Sequence, residues 1–262
     1  MKNGLRHQLQ SVFRIENMTN IKEAIQQYKQ SHAYSEFSPR CVLFDMDGVL
    51  YNSMPNHAVA WHEAMKQFGI HFTADDSYAT EGARGVDTIR RYVLKQQGRE
   101  ISPEEAQRMY DVKTEIFHRM PIAEIFPGVI DIMQKIKSAG MTIGVVTGSG
   151  QRPLIKRLLT DFDGFLTEDH IVTAYDVERG KPNPDPYLMG LRKTGNNEPW
   201  QGIVVENAPL GVRAGSAANC FTIGINSGPL PDSALSDNGA NIVLQQMTEL
   251  CSLWDELLQN ID

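Results

Sequence analysis

The first strong structural signal in this chain is the stretch Cys41-Val-Leu-Phe-Asp-Met-Asp-Gly48. Its first four residues form a β-rich apolar run, which predicts a buried strand. Asp45, Asp47 and Gly48 end that run abruptly. In open parallel sheets, ligands bind beyond the carboxyl ends of the strands. We therefore expect the carboxylates of Asp45 and Asp47 to lie at the ligand-binding edge of such a sheet.

Strand-like and helix-like runs alternate in the second half of the chain. Further strands are predicted at 142–146, 171–174, 202–205 and 221–225. Helices are predicted near 129–138, near 152–159, after Pro184 and near 209–217. Strand and helix in turn, with glycine-rich breaks at strand ends, indicate a parallel sheet covered on both faces. The predicted class is α/β, with a doubly wound parallel-sheet (Rossmann-like) core.

A helical segment interrupts this core after its first strand. Between His57 and about Met120, apolar residues such as Ala60, Ala64 and Phe68 recur with the period of an α-helix. The segment is interpreted as an inserted helical cap domain. The predicted parts are an N-terminal helical extension at 1–38, a core at 39–54 and 127–262, and a helical cap at 55–126.

Two local features refine this division. In the extension, Asn20 is expected to cap a short helix with an apolar face. That face is formed by Ile21, Ala24, Ile25 and Tyr28. The cap is expected to move as a lid, hinged near residues 53–56 and 121–127, where prolines stiffen the flanks.

Composition narrows the possible functions. The chain has 262 residues, of which 41% are hydrophobic and 22% charged, as in ordinary globular proteins. The formal net charge of −7 disfavours nucleic-acid binding, because no basic stripe is available to neutralise phosphates. No apolar run approaches the ~18 residues of a membrane span. Three cysteines without CxxC spacing are expected to be reduced thiols, and the expected location is cytoplasmic.

Polar residues follow the predicted strands in a set that suits phosphoryl transfer. The set comprises Asp45, Asp47, Thr147, Ser149, Lys181, Glu206 and Asn207. This chemistry needs a carboxylate nucleophile, an acid/base, a hard cation held by oxygens and donors for the phosphoryl group. Two neighbouring carboxylates repel each other, and a divalent cation relieves that repulsion. The residues therefore point to a cation-assisted phosphoryl-transfer site.

Four motifs in the same order resemble the haloacid dehalogenase superfamily. They are Phe44-Asp-Met-Asp-Gly-Val-Leu, Val145-Val-Thr-Gly-Ser, Gly180-Lys-Pro-Asn-Pro-Asp-Pro-Tyr and Val205-Glu-Asn-Ala-Pro-Leu-Gly-Val-Arg-Ala-Gly. The resemblance runs from about residue 41 to residue 230. Because the helical insert follows the first motif, the chain resembles the β-phosphoglucomutase-like branch, and His57 and Trp61 match the first cap helix of that branch.

The resemblance implies a role for each core residue. Asp45 would attack phosphorus and carry an aspartyl-phosphate, and Asp47 would act as the acid/base. Lys181 would neutralise charge between nucleophile and phosphate. The phosphoryl oxygens would be held by Thr147, Gly148 and Ser149. The implied cofactor is Mg²⁺, with Asp45, Asp47, Glu206 and Asn207 at its site.

The cap departs from the mutase pattern, and this bears on the substrate. Glu81 and Gly85 align with a lysine and an arginine of the mutases, while Arg84 lies one residue away and is a candidate substitute. Gly150 stands where mutases carry another lysine, and Asn207 replaces an aspartate. The predicted substrate-binding residues of the cap are His57, Glu81 and Arg84.

Three functions remain open on the sequence alone. A phosphohydrolase acting on a small phosphorylated metabolite is favoured, with inorganic pyrophosphate as its substrate, because some relatives with this glutamate and Glu-Asn pair are pyrophosphatases. A β-phosphoglucomutase-type sugar-phosphate mutase is the first alternative. A non-catalytic phosphate-binding regulatory protein is the second. The sequence leaves the oligomeric state open.

Overall fold

The computed structural model describes residues 20–150 and 152–262. Residues 1–19 of the predicted extension lie outside this part of the chain. The strands are β1 Cys41–Phe44, β2 Thr142–Val146, β3 Ile171–Val172, β4 Gly202–Glu206, β5 Phe221–Ile225 and β6 Ile242–Leu244. The helices before β2 are α1 Ile21–His32, α2 Met54–Gln67, α3 Ala74–Thr80, α4 Gly85–Gln97, α5 Pro103–His118 and α6 Val129–Ser138. Those after it are α7 Arg152–Asp161, α8 Asp185–Lys193, α9 Pro209–Ala217, α10 Ser233–Ser236 and α11 Met247–Leu258.

Within the described residues, six strands form one parallel sheet in the order β3-β2-β1-β4-β5-β6. The predicted α/β class with a doubly wound parallel sheet is confirmed. β1 lies at the centre, where Phe44 pairs with Val145 of β2 and Val205 of β4. Strands β1, β2 and β4 therefore end at nearly the same level. The side chains that follow them are brought to one edge of the sheet.

Two strands differ from the sequence prediction. The strand predicted at 171–174 ends at Val172, because the Asp176 carboxylate accepts hydrogen bonds from the amide and hydroxyl of Thr173 and folds the chain into a turn. Strand β6 was not predicted. It has only three residues, and a run this short carries little periodic signal.

Helix α1 confirms the predicted apolar face of the extension. The Asn20 side chain accepts from the amide of Lys22 and caps the helix, as expected. The buried residues of the helix are Ile21, Ala24, Ile25 and Tyr28. Tyr28 donates to the Asn219 carbonyl at 2.8 Å and packs edge-on against Phe221 of β5. The extension is thus attached to the core of the sheet.

Helices α2 to α5, Met54–His118, form the segment called the cap below. They share an apolar cluster of their own, which includes Trp61, Phe72 and Ile89. Ser102 caps α5, whose start at Pro103 agrees with the sequence prediction. A separate cluster on the cap is what a discrete domain requires. The predicted boundaries at 55–126 stay a prediction.

The two chain segments that join the cap to the core run side by side. The amide of Asn52 donates to the Glu124 carbonyl at 2.9 Å, and the amide of Phe126 donates to the Leu50 carbonyl at 3.0 Å. Arg157 of α7 donates to the Ala123 carbonyl. The predicted hinge at 121–127 includes part of this paired region, and the one at 53–56 directly follows it. The motion of both hinges stays a prediction. No helix within residues 20–150 and 152–262 is long and apolar enough to cross a membrane.

Candidate active site

Asp45 follows β1 directly and is buried at the sheet edge. Its amide donates to the Val205 carbonyl of β4 at 2.9 Å, so the backbone of the residue is fixed by the sheet. Lys181 Nζ lies 2.5 Å from Asp45 Oδ1 and 2.7 Å from Glu206 Oε1. It also donates to the Val146 carbonyl at 3.0 Å. One ammonium therefore connects the ends of β1, β2 and β4.

The charge of Lys181 is maintained by its two carboxylate partners. The lysine is 4% exposed. Burial lowers its pKa, but Asp45 and Glu206 outweigh this effect, so the net pKa lies above the ordinary value. Lys181 thus remains a cation next to Asp45. This is the charge that an attacking carboxylate and an incoming phosphate both require.

Asp47 is held by the chain segment that leads from β1 into the cap and by the cap itself. Ser53 donates to Asp47 Oδ1 at 2.6 Å, and His57 Nε2 of α2 lies 3.2 Å from the same oxygen. Burial raises the pKa of Asp47, but His57 and Ser53 outweigh it, and the net pKa is below its ordinary value. Gly48 then turns away at a φ of +82°, where a Cβ would lie 1.9 Å from the side-chain nitrogen of Asn207.

A buried lysine of the cap completes the group around Asp47. Lys113 of α5 is 2% exposed, and its Nζ lies 2.8 Å from His57 Nδ1. The ammonium also lies 5.3 Å from the ring centroid of Trp61 and 4.9 Å from that of Phe117. Burial lowers the pKa of Lys113 to about 8, against the opposing effect of the Glu81 and Asp47 carboxylates.

Lys113 and Ser53 are site residues that the sequence analysis missed. A weak signal for Lys113 exists: it follows Ala106 and Met109 on the buried face of α5, where a lysine is out of place. Ser53 carries no comparable signal, because a serine before a proline-containing helix start reads as an ordinary cap. In the structure it makes no side-chain cap bond and binds Asp47 instead.

Glu206 is saturated by protein donors. It is fully buried, and its Oε1 accepts from Lys181 and from Tyr187 at 2.8 Å. Its Oε2 accepts from the amides of Asn207 and Ala208 at 2.9 and 3.1 Å. In this arrangement Glu206 is the counter-ion of Lys181. Its predicted part in metal binding stays a prediction.

The residues present fit a hard divalent cation. Among residues 20–150 and 152–262 no group of three or more His, Cys, Asp and Glu side chains is arranged as a metal cluster. The candidate set is instead two aspartates and an amide. Asn207 Oδ1 is buried without a hydrogen-bond partner, next to the loop that carries Asp45 and Asp47. A buried oxygen without a donor is what Mg²⁺ would satisfy.

The loop after β2 supplies the predicted phosphate-binding residues. Thr147 is buried, and its hydroxyl accepts from the amide of Ser149 at 3.0 Å. Gly148 lies against the cap, since a Cβ there would be 3.0 Å from the carbonyl oxygen of Gly82. The structure thus places Thr147, Gly148 and Ser149 on one turn at the site edge. Their role in phosphate binding stays a prediction.

The two charged residues of the cap loop lie in different surroundings. Glu81 is half-buried, and burial raises its pKa, with His57 opposing this effect and Asp47 adding to it. It therefore belongs to the group around Asp47. Arg84 instead donates to Asp87 at 2.8 Å and to the Glu178 carbonyl at 2.9 Å. The structure does not bring Arg84 into the contacts around Asp45.

Tyr187→Phe tests whether Glu206 needs its side-chain donor. We expect the free energy of unfolding to fall by about 1.5–3 kcal/mol, since a buried hydrogen bond to a charged group is lost. Turnover should fall as well, because Glu206 positions Lys181. Tyr92→Phe is the matched control: its hydroxyl donates to Asp76 at 2.7 Å within the cap. Chemical denaturation and steady-state kinetics of both variants check this, and unchanged turnover in Tyr187→Phe would contradict the positioning role.

A parallel sheet whose first strand is followed by two aspartates, joined by an acidic residue at the end of a neighbouring strand and by a lysine from the loop before α8, defines a class of hydrolase. The chain belongs to the haloacid dehalogenase-like hydrolase family, whose sequence model matches residues 42–225. This confirms the resemblance read from the four motifs.

Proteins similar to this chain include a phosphatase and a beta-phosphoglucomutase. Hexitol phosphatase A of Escherichia coli is 30% identical over 209 residues, which cover 79% of this chain and 91% of that protein. Beta-phosphoglucomutase of Bacillus subtilis is 26% identical over 223 residues, covering 80% of this chain and 91% of that protein. A solved structure named "Putative beta-phosphoglucomutase from Bacteroides vulgatus" is 44% identical, with a TM-score of 0.89, and covers 93% of this chain and 100% of that one. The chain is similar to phosphatases and to sugar-phosphate mutases.

Proposed function

We propose that this protein is a magnesium-dependent phosphohydrolase that works through an aspartyl-phosphate on Asp45. The observation that carries the proposal is the contact of Asp45 with Lys181 at the sheet edge, beside an Asp47 held by His57 of the cap. A nucleophile, a fixed cation and an acid/base are thus present together. The family assignment supports the same chemistry.

The proposed reaction has two steps. In the first, a carboxylate oxygen of Asp45 forms a bond to phosphorus, the bond to the leaving oxygen breaks, and Asp47, protonated in the substrate complex, gives that oxygen its proton. In the second, Asp47 takes a proton from water, the water oxygen bonds to phosphorus, and the Asp45–phosphate bond breaks. Asp45, the Asp47 carbonyl and Asn207 Oδ1 would hold Mg²⁺. When bound, the ion would supply positive charge to the phosphoryl oxygens.

The cap residues bear on the substrate. Glu81 interacts electrostatically with Lys113, so the carboxylate and the ammonium offset each other. The cap therefore offers little net positive charge to a second phosphate dianion of a sugar bisphosphate. Pyrophosphate needs less positive charge from the cap, because it arrives with magnesium that Glu81 can help to bind. We propose inorganic pyrophosphate as the substrate on this ground.

The buried Lys113 in the cap supports a second candidate function, that of a sugar-phosphate mutase. It gives the cap a cation that the sequence argument lacked, and a mutase needs such a group for the phosphate that is not transferred. The relatives named above act on hexitol phosphates or are sugar-phosphate mutases. Sugar phosphates are therefore the competing substrates, and the two readings differ in whether phosphate is released or moved.

A direct assay separates these functions. Phosphate release from pyrophosphate, hexitol phosphates and β-glucose 1-phosphate is measured with magnesium and with an EDTA control. The proposal expects magnesium-dependent release that is fastest from pyrophosphate. Faster formation of glucose 6-phosphate than of free phosphate would establish the mutase. No turnover of any compound, with phosphate still bound, would establish the non-catalytic binding protein.

Glu81→Ala tests the substrate assignment. We expect pyrophosphate hydrolysis to fall by about tenfold to hundredfold, because Glu81 is proposed to recognise the leaving phosphate with its cation. Hydrolysis of p-nitrophenyl phosphate should fall much less, since the core residues still carry the chemistry. Glu104→Ala, an exposed acid of the cap, is the matched control. Equal losses on both substrates would mean that Glu81 serves the general chemistry or the fold.

A further inference from the structure

The cap lies directly on the core through a set of contacts that involve glycines. Helix α3 of the cap packs against α9 of the core. Around this contact, three glycines of the core face the cap, and a side chain on any of them would meet it. These three positions, called the glycine seam below, are Gly148 opposite Gly82, Gly180 opposite Arg84 and Gly228 opposite Tyr78.

The seam position formed by Gly148 and Gly82 adjoins the reacting groups. A Cβ on Gly82 would lie 3.0 Å from Lys181 Cδ, and one on Gly148 would lie 3.0 Å from the carbonyl oxygen of Gly82. Backbone of the cap is therefore in contact with backbone of the core beside Lys181. The space between the cap and the carboxylates at the sheet edge is therefore small.

Gly228 has the tightest contact of the three seam positions. A Cβ there would lie 2.7 Å from both Cδ1 and Cε1 of Tyr78, on the ring that α3 presents to the core. Real Cβ atoms essentially never come so close to carbon, so a side chain at 228 must displace the ring or the helix. The Gly228 backbone lies outside the left-handed region, so other residues can adopt its conformation.

The loop that carries Gly228 cannot retreat freely. Ser227 Oγ donates to the Gly48 carbonyl at 2.6 Å, which ties the loop to the residue after Asp47. Asn226 donates from its amide to the Leu244 carbonyl at 2.7 Å and from its side chain to the Leu230 carbonyl at 2.9 Å. A side chain at 228 would therefore move the cap more readily than the loop.

We propose that Gly228 is a specificity-determining position of this enzyme. Its missing side chain lets α3 seat flush on the core, and the seated cap restricts the enclosed site to small phosphorylated substrates. A raised cap would admit water and separate Glu81 from the leaving phosphate, so pyrophosphate would lose most. This inference rests on the proposed phosphohydrolase function.

Gly228→Leu and its rescue by Tyr78→Ala test the proposal. We expect Gly228→Leu to lower kcat/KM for pyrophosphate by about tenfold to hundredfold, and for p-nitrophenyl phosphate by less than about threefold. Tyr78→Ala removes the opposing ring. The double variant should therefore recover pyrophosphate activity to within about threefold of Tyr78→Ala alone. Failure of the rescue, or equal losses on both substrates, would overturn the proposal.

A measurement of cap position separates this inference from the substrate assignment. Fluorescent labels are attached at Glu100→Cys in the cap and Asp237→Cys in the core, both exposed, with Cys251→Ser to remove the one cysteine that is not buried. With magnesium and inorganic phosphate, Gly228→Leu should lower energy transfer, and Tyr78→Ala should restore it. Unchanged energy transfer in Gly228→Leu would contradict the proposed role of Gly228 in cap position, even if pyrophosphate is the substrate. If wild-type protein does not hydrolyse pyrophosphate, the proposed substrate fails, while energy transfer still decides the seam.

Discussion

Asp45→Asn is expected to abolish turnover, with a loss of several orders of magnitude in kcat. The amide has nearly the shape of the carboxylate but cannot attack phosphorus. The variant should fold, because Asp45 is positioned through its backbone bond to Val205 as well as through its side chain. Steady-state kinetics on pyrophosphate and p-nitrophenyl phosphate measure the loss. Mass spectrometry after acid quenching should find a phosphorylated peptide containing residue 45 in the wild type alone.

The control for this variant is Asp237→Asn, the same change at an exposed position at the end of α10. It should leave kcat unchanged. Retention of more than a few per cent of wild-type activity by Asp45→Asn would exclude the covalent intermediate. A phosphorylated peptide that lacks Asp45 would locate the nucleophile elsewhere.

Lys181→Met is expected to damage both activity and stability. The ammonium is the common partner of Asp45 and Glu206, and its side chain is 1% exposed. Its removal leaves two buried carboxylates without their cation, and breaking a buried pair in this way costs about 3–5 kcal/mol. Turnover should fall by at least about a hundredfold, because a preorganised cation beside the transferred phosphoryl group is lost. Chemical denaturation and kinetics measure the two effects separately.

A second substitution distinguishes the structural from the catalytic part of this loss. In Lys181→Met/Glu206→Gln, one of the two uncompensated carboxylates becomes neutral, so part of the lost unfolding free energy should return. Turnover should not return, because the cation is still missing. If activity recovers together with stability, Lys181 serves the fold alone, and its assigned role in phosphoryl transfer is wrong.

The sequence was sufficient for the core of the site. Asp45 and Asp47 follow a strand, Glu206 ends another, and Lys181 precedes helix α8. Parallel strands bring their carboxyl ends to one edge. Local patterns therefore fix both the order and the side of the sheet. The α/β class and the family were predictable for the same reason, since three of the four motifs lie at strand ends and the fourth precedes a helix.

The cap part of the site was less accessible to sequence reasoning. Lys113 lies 56 positions after His57, and the two meet because α5 packs against α2. Only the packed structure shows this pairing. The position of Arg84 likewise depends on Asp87 and the Glu178 carbonyl, the second of which lies in the core. Charge at a cap-loop position does not determine where the side chain points.

The two paired segments that join the cap to the core make the cap separable in principle from the core. The outgoing segment at Leu50 and Asn52 and the returning segment at Glu124 and Phe126 are joined by backbone hydrogen bonds. The insert therefore begins and ends at neighbouring points, and the chain between them can vary in length without changing the register of β1 and β2. Such a junction allows the same catalytic core to be combined with different cap domains. Substrate preference can then diversify while the phosphoryl-transfer residues stay in place.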